Sequence, residues 1–214
     1  MLNEILEKLS EISSKLDRLG SPISWIIPFL SGAFVVILAE VVKHRLFKPK
    51  LNLEFEEGNG CISDTWEINS KGQKTADARY IRVKVTNNSR IIAKDCRGYL
   101  INIEKQNKHG KFAPTVYCDS IQLAWSCQGK RDRYEAVDIS KGVNKYLDVI
   151  VTRNISREFD PQIMAKPLRY LYLFKETGIF RLIIQASAAG ADPKIIKLIF
   201  NWKGVWNDFS VKRG

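Results

Sequence analysis

Most of the chain after residue 50 alternates between apolar and polar residues, which is the two-residue period of a half-buried β-strand. In RYIRVKVTN, residues 79–87, one isoleucine and two valines fall on one face, and a tyrosine, an arginine and a lysine fall on the other. Similar runs follow: CRGYLINIE, SIQLAW, YLDVIV, LRYLYLF, IFRLIIQA and IIKLIFNW. Turn-prone pieces such as NNSR, NKHGK and AGADP separate them. Because no long helical pattern interrupts these runs, the sequence predicts an antiparallel β-sandwich of seven or eight strands over residues 49–214.

The most hydrophobic stretch is PISWIIPFLSGAFVVILAEVV, residues 22–42, which carries no charge before Glu40. About 20 helical residues match a hydrocarbon core of ~30 Å, so we predict a single transmembrane helix within residues 21–48. A cleaved signal peptide is disfavoured because the run is long and no small-residue cleavage site follows it. The basic flank KHRLFKPK, residues 43–50, then predicts a single-pass membrane protein, in contact with lipid, whose C-terminal domain is cytoplasmic.

One side of this predicted span carries mostly small residues spaced three or four apart, a pattern that lets transmembrane helices pack closely. The residues predicted to line a pore or a helix contact are Ser24, Pro28, Ser31, Gly32, Val35, Ala39 and Glu40. Small residues and proline are also common in spans that form no pore. Glu40 has two interpretations: a ring of carboxylates at a pore mouth, or interfacial pairing with Lys43 and His44 on the same helix face.

The N-terminal segment LNEILEKLSEISSKLDRL, residues 2–19, spaces its apolar residues alternately three and four apart, as in a coiled-coil seam. The predicted oligomerisation residues are Leu2, Ile5, Leu9, Ile12, Leu16 and Leu19. Leucine at position a with isoleucine at position d favours trimers and tetramers, so we predict a parallel homo-oligomer of three or four chains formed by residues 1–20. The alternative is an amphipathic helix that lies flat on lipid, because Leu6 widens the apolar stripe.

The formal net charge of +11 favours anionic partners. Residues 51–214 hold most of this excess, with 27 Lys and Arg against 18 Asp and Glu. Two places put basic residues beside an aromatic ring, a combination that can bind phosphates and stack on a base. The predicted ligand-binding residues are Arg97, Tyr99, Lys130, Arg131, Arg133 and Tyr134. They predict a nucleotide or oligonucleotide ligand; the alternative is that these residues only solvate the outer faces of strands.

Sequence motifs for catalysis and metal binding are missing. The chain has no GxxxxGK[ST], HExxH or GxSxG motif, so we predict that it is not an enzyme. Its four cysteines form no CxxC pair and its two histidines are far apart, so we predict no metal and no cofactor. The cysteines are expected to be buried, reduced thiols, with a disulfide left as the alternative.

Two segments, VTNNSRIIAKDCRGYL and ETGIFRLIIQASAAGADPKIIKLIFNW, resemble immunoglobulin-like prokaryotic modules, which implies an immunoglobulin-like sandwich. A short oligomerising helix, one span and a basic β-domain together are similar to the transmembrane effectors of bacterial nucleotide-signalled phage defence, such as the Hailong-type membrane effectors. This resemblance implies an oligomeric inner-membrane effector in antiviral defence, an ion channel gated by an anionic nucleotide or oligonucleotide. The alternative is a membrane-tethered β-sandwich that binds a protein partner and forms no channel.

Overall fold

The chain divides into two compact units, residues 1–48 and residues 49–214. The structure is a computed structural model, and each unit is described by itself. The residues described are 2–17, 36, 48–58, 60–69, 71–117, 119–129, 131–155, 161–166 and 172–214.

The first unit contains helix α1, Leu2–Asp17, in which apolar residues recur with the helical period. Lys15 binds Glu11 one turn earlier at 2.7 Å, and its charge also suits the negative end of the helix dipole. The side chains of Leu6, Leu9 and Ile12 are exposed.

The predicted coiled coil is corrected by this unit. A coiled-coil seam needs a second helix, whereas α1 is the one helical element that the described residues form, and the seam residues Leu9 and Ile12 are exposed on it. Leu19 lies outside the described residues. The alternative, a helix that lies flat on lipid, stays a prediction. The trimer or tetramer stays a prediction.

The fold class is also wrong in its membrane part. Among the described residues, no helix combines the length and the apolar character needed to cross a bilayer. The 16 residues of α1 extend about 24 Å, less than a hydrocarbon core of ~30 Å, and they include several charges. This finding contradicts the predicted transmembrane helix and the predicted single-pass inner-membrane location. The predicted pore residues lie outside the described residues: Ser24, Pro28, Ser31, Gly32, Val35, Ala39 and Glu40.

The second unit is mainly β, and every strand pairing in it is antiparallel. Its strands are β1 Leu51–Glu54, β2 Ile62–Ile68, β3 Lys74–Asn87, β4 Ala93–Gln106, β5 Phe112–Pro114, β6 Ile121–Trp125, β7 Val137–Ile139, β8 Lys145–Arg153, β9 Gln162–Ile163, β10 Ala165–Lys166, β11 Gly178–Ser187, β12 Lys194–Val205 and β13 Asp208–Arg213.

Six of the seven predicted strand segments lie in or overlap β3, β4, β6, β8, β11 and β12. The exception is LRYLYLF, residues 168–174. Its last three residues form a turn, and residues 168–171 lie outside the described part. The turn buries Phe174, whose ring meets those of Phe180 and Phe200 edge-on at 4.9 and 5.5 Å. The described turn therefore contributes Phe174 to the core.

The strands follow one path, β1-β3-β8-β6-β4-β11-β12-β13. Strand β6 joins the two halves of this path, because its Trp125 pairs with Leu147 of β8 and its Ile121 pairs with Leu100 of β4. The path folds back so that β1 contacts β11 and β12 across the main core. A two-layer β fold is compatible with the predicted sandwich. It differs from the immunoglobulin-like arrangement of two separate sheets, because β6 hydrogen-bonds to both layers.

A second, smaller apolar cluster lies apart from the main core. It consists of Ala78, Ala124, Val151 and Met164, with the rings of Tyr80 and Tyr134 packed against it. These residues come from β3, β6, β8 and the segments that precede β7 and β10. The cluster is the base on which the candidate site is built.

Candidate anion-binding cleft

A cleft of about 560 Å³ opens beside the small apolar cluster. Its wall combines aromatic rings, arginines and one methionine that belong to β2, β3, β8 and the segments before β7 and β10. The lining includes Trp66, Tyr80, Arg133, Tyr134, Arg153 and Met164. A cleft of this size is within the range of small-molecule sites.

Arg133 is held at the cleft by backbone hydrogen bonds at both ends of its peptide unit. Its N–H donates to the carbonyl of Gly129 at 3.0 Å, and its carbonyl accepts from the N–H of Trp125 at 2.6 Å. The guanidinium carbon lies 5.3 Å from the centre of the Tyr134 ring. Its Nε is buried and has no hydrogen-bond partner. A buried guanidinium nitrogen without an acceptor is costly, so this side chain is poised to receive one.

Tyr134 contributes one of the aromatic rings of the wall. Its hydroxyl donates to the carbonyl of Ala165 at 3.2 Å, and its own carbonyl accepts from the amide of Gln122. The ammonium of Lys166 lies 5.9 Å from the ring centre, so two cations approach one ring. Burial raises the pKa of the Tyr134 hydroxyl above its ordinary value, so the ring stays neutral at physiological pH.

Arg153 also lines the cleft, but its charge is already compensated. Its Nε donates to the Glu67 carboxylate at 2.6 Å, and one terminal nitrogen donates to the amide oxygen of Gln162 at 3.1 Å. This pair adds hydrogen-bonding groups to the wall and no net charge.

Beside Arg133 lies a second compensated pair. Arg82 donates through Nε to Asp148 at 2.7 Å, and its guanidinium carbon lies 5.1 Å from the centre of the Tyr80 ring. Burial raises the pKa of the Asp148 carboxyl, although Arg82, a hydrogen bond from Ser126 and the charge of Arg133 act against that shift. Burial likewise raises the pKa of Tyr80.

Two of the predicted arginines differ from the other buried or half-buried arginines because they form no ion pair. Six of the described arginines are buried or half-buried, and four of them are in ion pairs: Arg79 with Asp64, Arg82 with Asp148, Arg153 with Glu67, and Arg181 with Glu104. Within the part of the chain that the structure describes, the two without a carboxylate partner are Arg97 and Arg133. Both were predicted from the sequence as ligand-binding residues.

The structure places the other predicted residues as follows. Tyr99 on β4 pairs with Gln122 on β6, and Gln122 pairs on its other side with Lys166 on β10. Paired residues share a face of the sheet, so Lys166, Gln122 and Tyr99 form a row about 10 Å long beginning beside Tyr134. Arg97 follows on the same face, two residues from Tyr99. Arg131 is exposed and directly precedes Asp132, and Lys130 lies outside the described residues.

Sequence reasoning missed several residues of the site. Tyr80 was assigned only to a strand face, and no local pattern pointed to Trp66 or Lys166. Lys166 belongs to a strand of two residues, which is too short to show a period. A rule that selects every basic residue within five positions of an aromatic one would also select many other residues, so it would not identify Lys166.

Metal and thiol chemistry add nothing to the cleft. In residues that the structure describes, no three His, Cys, Asp or Glu side chains are placed to hold a metal ion. Cys61, Cys96 and Cys127 are free thiols, and Cys118 lies outside the described residues. The absence of a cofactor and of enzyme activity stays a prediction. No protein-family model, curated protein or solved structure matches the chain, so the geometry of the cleft carries the functional argument.

Proposed function

We propose that residues 49–214 form a binding module for an anionic nucleotide or short oligonucleotide, which occupies the cleft beside Arg133 and Tyr134. The observation that carries the proposal is the guanidinium of Arg133, which forms no ion pair with a described carboxylate and whose buried Nε has no hydrogen-bond partner. A phosphate oxygen is the acceptor that suits this group, because arginine binds phosphate through charge-assisted hydrogen bonds.

The neighbouring groups support a nucleotide over a simple anion. Lys166 places a second cation 5.9 Å from the centre of the Tyr134 ring, and exposed Trp66 offers a further aromatic surface for a base. The row from Lys166 through Gln122 to Tyr99 continues toward Arg97, the other half-buried arginine without a carboxylate partner among the described residues. A ligand with more than one phosphate could therefore contact both arginines. In antiviral defence, such a ligand would be the signal that the domain detects.

The test compares variants with equal charge changes. The full chain would be titrated with AMP and with a four-nucleotide single-stranded DNA of mixed sequence, using calorimetry. Arg133→Ala should weaken binding at least tenfold, because charged hydrogen bonds contribute about 1.5–3 kcal/mol. The control Arg213→Ala removes the same charge from an exposed site on β13 and should change affinity less than threefold. Equal losses in both variants, or no binding of either probe, would refute the proposal.

A protein-binding module is the second candidate, and strand β2 favours it. Among the described strands β2 pairs only with β3, and it exposes Trp66 and Ile68 at alternate positions. An edge strand with exposed apolar residues is suited to pairing with an extended segment of a partner. Trp66→Ser with Ile68→Ser should abolish binding of the partner, whereas Arg133→Ala should leave it unchanged while weakening nucleotide binding at least tenfold.

A further inference from the structure

Asp148 is a buried carboxylate next to the cleft. It lies on β8 directly between two strands, paired with Arg82 of β3 and with Ala124 of β6. Only 10% of its side chain is exposed. Arg82 donates to it at 2.7 Å, and the hydroxyl of Ser126 also hydrogen-bonds to it. Its neighbour Ala124 belongs to the apolar cluster against which Tyr134 packs.

The groups that face Asp148 come from two elements. Strand β3 contributes Arg82 and Tyr80, and the segment after β6 contributes Ser126, Arg133 and Tyr134. Arg133 lies near this carboxylate, because its carbonyl accepts a hydrogen bond at 2.6 Å from Trp125, the residue after Ala124. Its charge favours the ionised carboxylate through space. The negative charge of Asp148 in turn reduces the positive potential that an anion meets at Arg133.

We infer that Asp148 couples anion binding at Arg133 to the uptake of a proton. The inference rests on the proposed function. An anion bound to Arg133 compensates the charge that otherwise helps to keep Asp148 ionised, and it adds a like charge nearby. The carboxylate therefore takes a proton from solvent when the anion binds. By linkage, prior protonation of Asp148 strengthens anion binding by the same factor.

The surroundings of Asp148 favour this coupling. Burial has already raised the pKa of the carboxyl from its ordinary value, so a bound anion moves it further toward neutral pH. The two tyrosines that face it have pKa values raised above 10 and remain neutral below pH ~9. Glu67, a carboxylate of the cleft wall, is held in its ion pair with Arg153 at 2.6 Å.

The probe must keep its charge while the protein titrates. Thymidylyl-thymidine carries one phosphodiester and no phosphomonoester, so its charge is constant from about pH 5 to about pH 8, unlike that of AMP. Calorimetry on the full chain in two buffers of different ionisation enthalpy gives both the affinity and the number of protons taken up. We expect affinity to rise roughly three- to tenfold from about pH 8 to about pH 5, with net proton uptake at intermediate pH.

Asp148→Asn should bind with the low-pH affinity at every pH and take up no proton. Asp132→Asn is the matched control, since it removes an exposed carboxylate from the same loop as Arg133, and it should keep the pH dependence. If Asp148→Asn does not fold, Ser126→Ala provides the test. Loss of that hydrogen bond raises the Asp148 pKa, so the affinity profile should shift to higher pH.

The outcomes separate this inference from the proposed function. Binding that needs Arg133 but is independent of pH, or proton uptake that persists in Asp148→Asn, overturns the inference and leaves the proposed function standing. If the dinucleotide does not bind, the same pH series is measured with the four-nucleotide DNA, whose phosphodiesters also keep their charge. If neither binds at either pH, the proposed function falls and the inference with it.

Discussion

Gly98 on β4 lies directly against the side chain of Leu147 on β8, although these strands are not hydrogen-bonded to each other. Strand β6 lies between them in the sheet order. A Cβ at residue 98 would overlap both methyl carbons of Leu147, which is fully buried. The close approach of the two layers beside β6 therefore depends on the missing side chain at this position.

Gly98→Ala should destabilise the domain by about 1–3 kcal/mol, because the added methyl group overpacks a closed core. Chemical denaturation measures the change in the free energy of unfolding. Gly129→Ala is the control, since its Cβ would meet only Asp132 at an ordinary 3.5 Å, and it should stay within about 0.5 kcal/mol. Adding Leu147→Val to Gly98→Ala should recover part of the loss; additive losses would show that the two side chains are not coupled.

The ion pairs of Glu67 and Asp64 should differ in their contribution to stability. The side chain of Arg153 is 6% exposed, so Glu67→Ala leaves a buried charge without this carboxylate and should cost about 2–4 kcal/mol. Asp64 is also on β2 and binds Arg79 of β3, but its side chain is 65% exposed, and Asp64→Ala should cost at most about 1 kcal/mol. Thermal unfolding of both variants measures the difference, and equal losses would contradict the argument.

Asp148 should make the free energy of unfolding of the domain depend on pH, in a direction that follows from its raised pKa. Its pKa is raised on folding, so its contribution to stability is present below the ordinary aspartate pKa of ~3.9 and is lost as pH rises through the folded value. Asp148→Asn removes this loss. The free energy of unfolding of Asp148→Asn minus that of the wild type should therefore increase between about pH 4 and about pH 7, and a flat difference would refute this.

Thiol labelling should distinguish the described cysteines. Burial, with a smaller effect of Asp138, raises the pKa of Cys96 to about 11, so little reactive thiolate is present at pH ~8. Cys61 is also buried, whereas Cys127 is exposed. Iodoacetamide should modify Cys127 in the native protein, and Cys61 and Cys96 only after unfolding. Peptide mapping by mass spectrometry gives the sites, and native labelling of Cys96 at the rate of Cys127 would contradict the burial.

The fold was predictable where one strand spans several side-chain alternations. Strands β3, β4, β11 and β12 each have ten or more residues, and their period is visible in the sequence. Strands β9 and β10 have two residues each, and only their partners define them. The helix was predictable from its own period, but a partner for its apolar side was not, because that requires information beyond one chain.

The candidate site was predictable only in part, for a different physical reason. Local sequence places Arg133 beside Tyr134, but it does not reveal which arginines are compensated. That depends on strand register, which brings Asp148 to Arg82 across 66 residues and Glu67 to Arg153 across 86 residues. Before the register is known, all these arginines look equally available. Ion pairs occupy four of the six buried or half-buried arginines that the structure describes, and only Arg97 and Arg133 remain without one.

Salt dependence should separate the charged groups of the cleft from its aromatic ones. Each phosphate contact with a single strand contributes about −0.7 to the slope of log affinity against log salt concentration. Arg133→Ala should therefore make the slope for the four-nucleotide DNA less negative by about 0.7. Tyr134→Leu should weaken binding by about 1–3 kcal/mol through lost stacking and leave the slope unchanged. Circular dichroism checks that Tyr134→Leu keeps its fold, since the ring packs against the small apolar cluster. If Tyr134→Leu changes the slope as much as Arg133→Ala does, the ring acts by holding the guanidinium in place, and the ligand does not stack on it.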